Sequence, residues 1–327
     1  MTFPFTRFRR MRRTQALRNL IAETHIQPND FIYPLFITER NGDPTEIVSM
    51  PGVFQQDLEH TVRDVNDALR HGVESVMLFG IPEGKDPQAT QAWDEEGIIQ
   101  RAVRRLKDEF GEQLVVITDT CLCEYMNHGH CGIAMDSQVL NDPSAELLGK
   151  VAASQAMAGA DIVAPSSMMD GQVAFIRDYL DEAGYDHVPI LAYSTKYASS
   201  LYGPFRDAAE SPPAFGNRST YQMDARNRRE GLREMISDIG ESADMVMVKP
   251  AMFYLDVIRE AREQVDHPIF AYSVSGEYAM IKAAVQNGWL EEKPTVLEYL
   301  TSIKRAGADK IITYYAKTAA QWMNGAQ

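Results

Sequence analysis

Eight short apolar runs, rich in β-branched and aromatic residues and bounded by turn residues, recur along the chain: Phe31–Ile37, Ser75–Gly80, Leu114–Asp119, Ile162–Ser166, Pro189–Ser194, Met245–Pro250, Pro268–Val274 and Lys310–Ala316. None alternates strictly with period 2, which is how strands covered on both faces read, so a parallel sheet is expected. Between the runs lie stretches of helical spacing, over Asp57–His71, Gly97–Phe110, Ser144–Gly159, Gln172–Ala183, Asp224–Ile239, Phe253–Gln264, Glu277–Asn287 and Thr295–Ala306. No Gly-x-Gly-x-x-Gly follows the first run. Eight strand-helix repeats in about 290 residues therefore fit an α/β fold of the (β/α)8 TIM barrel type better than an open, doubly wound sheet. In such a barrel the chemistry sits at the C-terminal ends of the strands.

Residues 1–27 stand outside this repeat. They hold six arginines (Arg7, Arg9, Arg10, Arg12, Arg13, Arg18) and one acid, Glu23, a net +5, whereas the remainder carries −19. Two parts are expected: an N-terminal arm over 1–27 that docks on an acidic surface of another copy in a homo-oligomer, and a catalytic barrel over 28–327. A frayed basic tail is the alternative for the arm. The segment lacks the apolar stretch of a secretory signal, so a cytoplasmic location is expected. The overall charge of −14 repels phosphate backbones and anionic lipid, and no window approaches the ~18 to 20 apolar residues of a membrane span. Neither nucleic acid nor membrane is an expected partner.

The third run ends at Asp119 and continues through Cys121, Cys123, Glu124, His128, His130 and Cys131, which include all three cysteines of the chain. Three thiols on one short loop can converge on a soft ion such as zinc and leave a fourth position for water or substrate. A closed structural site, with His128 or His130 as fourth ligand, is the alternative. The fifth run leads into Lys196 and the sixth ends with Lys249. A lysine closing an apolar strand is desolvated, and two facing lysines lower each other's pKa, which favours a neutral amine able to trap a ketone as a Schiff base. The intervening segment, Tyr197–Thr220, is long for a loop in a compact domain and reads as a lid. Its Arg206 and Arg218 suit a carboxylate clamp. Ser273 and Ser275 beyond the seventh run, and Tyr314 and Tyr315 near the end of the eighth, offer hydroxyls for a second carboxylate.

These residues, together with Ala164-Pro165-Ser166, Ser194-Thr195-Lys196-Tyr197-Ala198-Ser199, Tyr202-Gly203-Pro204-Phe205-Arg206, Met247-Val248-Lys249-Pro250-Ala251 and Ala271-Tyr272-Ser273-Val274-Ser275-Gly276-Glu277-Tyr278, resemble the porphobilinogen synthase (delta-aminolevulinic acid dehydratase) family over nearly the whole chain. The cysteine-bearing loop is similar to that of zinc-type members. Ser167 departs from the aspartate found there in many of them. The resemblance implies a lyase of tetrapyrrole (heme) biosynthesis that condenses two molecules of 5-aminolevulinate to porphobilinogen with loss of two waters. It implies Schiff bases on Lys249 and Lys196, zinc on Cys121, Cys123 and Cys131, and Asp119 as a proton shuttle or amine anchor. Ser275 and Tyr314 would hold one substrate carboxylate, and Arg206 and Arg218 the other. It further implies a homo-octamer and, in some members, magnesium near a glutamate corresponding to Glu234. A class I aldolase would need one lysine and no thiolate metal; a noncatalytic zinc protein would fill all four ligand positions.

Overall fold

The computed structural model describes residues 2–325. Eight parallel strands, β1 (Phe31–Thr38), β2 (Ser75–Ile81), β3 (Val115–Thr120), β4 (Ile162–Pro165), β5 (Leu191–Lys196), β6 (Met245–Lys249), β7 (Ile269–Ser273) and β8 (Lys310–Thr313), follow one another in the order β4-β3-β2-β1-β8-β7-β6-β5. The two ends of that order meet at a parallel bridge between Val163 and Ile190, where Val163 N–H donates to the Pro189 carbonyl at 3.2 Å. The sheet is thus a nearly closed TIM barrel. Its strands are covered inside by one another's side chains and outside by helices, which is why the apolar runs lack alternation: every residue of β5 and β7 is buried.

Helices α1 (Leu58–Arg70), α2 (Ile98–Phe110), α3 (Asn141–Met157), α4 (Gln172–Glu182), α5 (Arg228–Gly240), α6 (Leu255–Gln264), α7 (Ser275–Gln286), α8 (Glu292–Ala306) and α9 (Ala316–Asn324) lie between and after the strands. Their apolar stripes face the sheet. On α2, Ile98, Ile99, Ala102, Val103 and Leu106 are buried against Val76, Leu78 and Val116 of β2 and β3.

Several boundaries differ from the sequence reading by up to a few residues, and three differences have a clear local cause. The eighth strand stops at Thr313, and the alanine-rich stretch from Ala316 forms α9, burying Ala316, Ala319 and Ala320; high helix propensity takes over where the apolar run still continues. The helix expected from Asp224 begins at Arg228, because Asp224 Oδ1 accepts from Arg226 N–H at 2.9 Å and holds a local turn. The long segment Tyr197–Thr220, read as a lid, is not all loop: it contains a turn at Ser200–Tyr202 and a helix at Gly203–Ala208, with Pro204 in its first turn.

Residues 2–27 touch the barrel only lightly, with Ile26 packed partly against its core. No residue in 2–27 is buried, and Phe3, Phe5, Phe8 and Leu20 are each at least 65% exposed. Among the described residues, no helix is long and apolar enough to cross a membrane.

Candidate active site

Lys196 and Lys249 end adjacent strands, and an irregularity places them side by side. Ala192 pairs with Val246 but Thr195 with Val248, so β5 spends one residue more than β6 over this interval, and Lys196 comes opposite Lys249. Both are 5% exposed. The Lys249 Nζ stands 4.1 Å from the Tyr272 ring centroid, 5.0 Å from Tyr193, 5.3 Å from Phe205 and 5.4 Å from Tyr202. Burial first, and the Lys196 charge second, bring its ammonium down to about 7. Lys196 Nζ donates to the Ser166 carbonyl. Beneath the pair, Phe36, Phe79, Tyr193, Tyr272 and Tyr314 form an aromatic layer with successive ring centroids 5.6 to 6.5 Å apart.

One cavity at this mouth is lined by both lysines together with Asp119, Cys123, Glu124 and Arg218. Asp119, near the end of β3, accepts from Ser166 Oγ at 3.0 Å, and burial, with Cys121 next, raises its carboxyl to about 7. The sulfurs of Cys121, Cys123 and Cys131 lie within 4.8 Å of one another and all three residues are buried. The Cys131 thiol is held well below its ordinary range, first by hydrogen bonds from Cys121 and Cys123 and then by the Arg218 and Lys196 charges, despite its burial. Three convergent buried sulfurs are the donor set a soft divalent ion takes, so the residues present fit such a metal. His128 and His130 do not join this group among the described residues. The His130 Nε2 donates to the Phe215 carbonyl at 2.9 Å, its Nδ1 lies 3.0 Å from the Tyr221 hydroxyl, and its ring stacks on Phe215 at 4.1 Å.

The lid is fastened to the cysteine loop. Arg218, 4% exposed, donates to the Gly129 carbonyl at 2.8 Å and the Ser211 carbonyl at 3.0 Å. Although burial opposes its charge, the Cys131 and Cys123 sulfurs favour it. Arg206, on the short lid helix, has a buried Nε without a partner and is not among the cavity's lining residues. Ser275 and Tyr314 do line the cavity. The Ser275 Oγ accepts from Phe205 N–H at 3.0 Å and donates to the Leu201 carbonyl at 3.2 Å, so it also ties the lid to α7. The Tyr314 hydroxyl lies 3.2 Å from that of Tyr272. Glu234 is elsewhere, lining a second cavity with Asp170, Glu230 and Asp238.

Sequence reasoning gave no role to Glu124, Ser166, Tyr193, Tyr272 or Glu277. Glu277 is fully buried, and its two oxygens accept from the N–H groups of Ala251, Met252 and Val274 and from the Tyr299 hydroxyl at 2.6 to 3.0 Å, fixing the turn that follows Lys249. A glutamate three residues after the N-cap Val274, from whose N–H it accepts, is the one signal that could have marked it, since N3 is where a glutamate reaches back to the helix start.

Comparison with known proteins agrees with this arrangement. The chain matches the family described as "Delta-aminolevulinic acid dehydratase" over residues 5–322. It is 52% identical to the delta-aminolevulinic acid dehydratase of Bacillus subtilis (strain 168), covering 99% of each chain. It is 55% identical to that of Synechococcus elongatus, covering 98% of this chain and 99% of the relative. Among solved structures, the delta-aminolevulinic acid dehydratase (porphobilinogen synthase) of Toxoplasma gondii ME49, in complex with the reaction product porphobilinogen, superposes with a TM-score of 0.95 at 44% identity, over 98% of this chain and 94% of that one. Sequence, barrel and mouth agree, and the chain belongs to the delta-aminolevulinic acid dehydratase family.

Proposed function

We propose that this chain condenses two molecules of 5-aminolevulinate to porphobilinogen with loss of two waters, a hydro-lyase step in tetrapyrrole (heme) biosynthesis. The observation that carries the reading is the pair Lys196 and Lys249, in register and buried in one cavity with Asp119 and the cysteine loop. Two ketones call for two amines. The neutral Lys249 amine adds to the ketone of the substrate that supplies the propionyl side, water leaves, and the resulting iminium acidifies the neighbouring carbon for carbon-carbon bond formation. The aromatic faces around Nζ stabilise that cation, an effect of about 2 kcal/mol when water is excluded. Lys196 holds the second substrate in the same way.

Asp119, with its carboxyl raised to about 7, takes and returns a proton at the Oδ atoms. Ser275 and Tyr314 hold one carboxylate; for Ser275 this means exchanging the Phe205 N–H for a carboxylate partner. Arg218, with Arg206 beside it, binds the other, and the lid excludes water. Cys121, Cys123 and Cys131 would hold zinc, which when bound supplies a Lewis acid with an open ligand position. Glu234, among the acids of the second cavity, would serve magnesium. Residues 1–27 would be an assembly arm and residues 28–327 the catalytic barrel of a cytoplasmic homo-octamer; the exposed aromatic side chains and net +5 of the arm beside a −19 body support this. The test is direct: purified protein supplied with 5-aminolevulinate should yield a pyrrole product, and absence of pyrrole with zinc present would reject the reading.

A further inference from the structure

Ser167 is a buried hydroxyl that the proposed chemistry leaves without a task. It follows Ser166 just beyond the end of β4 and is fully buried. Its Oγ donates to the Cys121 Sγ at 3.5 Å, an ordinary separation for a hydrogen bond to the large sulfur atom. Cys121 is itself buried, so neither partner can turn to water instead. Alanine would fill the same space with no hydroxyl to desolvate, so packing alone does not account for a serine here.

The backbone is built to hold this contact. Ser166 N–H donates to the Thr120 carbonyl at 3.2 Å, which keeps the end of β4 level with the strand that leads into Cys121. Directly after Ser167, Met168 adopts φ +62, a left-handed conformation that a methionine takes only where its surroundings fix it. The chain therefore turns away with Ser167 left facing the cysteine loop. The two serines divide the mouth between them: the Ser166 carbonyl accepts from Lys196 Nζ, and the Ser167 hydroxyl reaches Cys121. Cys121 thus receives a donor from a different strand, whereas Cys123 is paired to Glu124 of its own loop. A hydrogen bond to a ligand atom from outside the ligand loop fixes where that atom points and draws electron density from it. Resting on the reading that the three cysteines hold a soft divalent ion, we propose that Ser167 is a positioning residue for that ion, aiming the Cys121 sulfur from β4 so that the loop retains zinc.

The experiment has two readouts on the full chain under anaerobic, reducing conditions: zinc affinity, by competition with a chromophoric chelator, and the sulfur-to-metal charge-transfer band of the cobalt-substituted protein. Ser167→Ala should bind zinc about tenfold or more weakly, the range lost with a ligand's outer hydrogen-bond partner. Its cobalt band should move to longer wavelength, because a sulfur relieved of its hydrogen bond gives up electron density at lower energy. A merely structural role would lower stability and leave the band where it is. Unchanged zinc affinity, or an unmoved band, in folded Ser167→Ala overturns the proposal. If Ser167→Ala does not fold by circular dichroism, the isosteric pair Ser167→Thr and Ser167→Val, one with the hydroxyl and one without, should show the same contrast, and equal zinc affinity in the two overturns it. A wild type that binds no zinc and shows no charge-transfer band would instead reject the metal reading; binding in the wild type without the contrast rejects only the role of Ser167.

Discussion

Lys249 is where burial becomes reactivity. Lowering a lysine from its ordinary pKa of about 10.4 to about 7 raises the neutral fraction at pH 7 from roughly 1 in 2,500 to about half, a gain on the order of 10³ in available nucleophile. The larger cause is desolvation and the second is Lys196, so the two contributions can be separated. Because only the unprotonated amine attacks, the rate of imine trapping should rise with pH through about 7 and level off above it. Lys196→Met removes the repelling charge and should move that midpoint upward. A wild-type midpoint near 10, or one unmoved by the substitution, would contradict the assignment. Lys196, Lys249 and Asp119 stand out in the sequence because each closes or directly follows an apolar run, and the three cysteines because all fall on one short loop. Glu124 does not: an acid beside a cysteine has the same spacing whether it faces solvent or a cavity. Arg206 shows the reverse, since its place among aromatic and Gly-Pro residues marks a lid without telling which way the guanidinium points.

At the scale of elements, all eight strands were readable because apolar runs in a doubly covered sheet are continuous. The extra residue of β5 that brings Lys196 opposite Lys249 was not, since a register shift is a property of two strands and leaves no pattern in either. The helix in the lid was hidden too, being six residues long and rich in Gly and Pro. How the lid is held suggests a separate test. Gly129 has φ +68, and a Cβ there would stand 2.3 Å from the Pro212 carbonyl oxygen, so the cysteine loop and the lid meet backbone to backbone. Gly129→Ala should therefore lift residues 209–220, making them at least fivefold more susceptible to limited proteolysis while far-UV circular dichroism stays that of the barrel. Unchanged cleavage of the lid would show that Arg218 and His130 hold it without this close approach.

Across the whole molecule, charge and exposure divide the chain where the repeat begins. The arm presents Phe3, Phe5, Phe8 and Leu20 to solvent beside six arginines, and the barrel carries the negative charge. On the assembly proposed above, another copy would supply an acidic wall to cover that surface. Removing residues 1–20 should leave a folded barrel that sediments as a smaller assembly; an unchanged assembly would make the arm a bystander. The central claim concerns the barrel itself, whose closure and register place two amines in one desolvated mouth, with Lys249 as the indispensable covalent catalyst. Its most direct measurement is peptide mass analysis after borohydride is added with 5-aminolevulinate, run beside Lys249→Arg. The expected result is inactivation with a reduced adduct on the peptide containing Lys249, and turnover in Lys249→Arg lower by several orders of magnitude. No adduct on that peptide, or more than about a tenth of wild-type turnover in Lys249→Arg, a barrier change below ~1.4 kcal/mol, would contradict it.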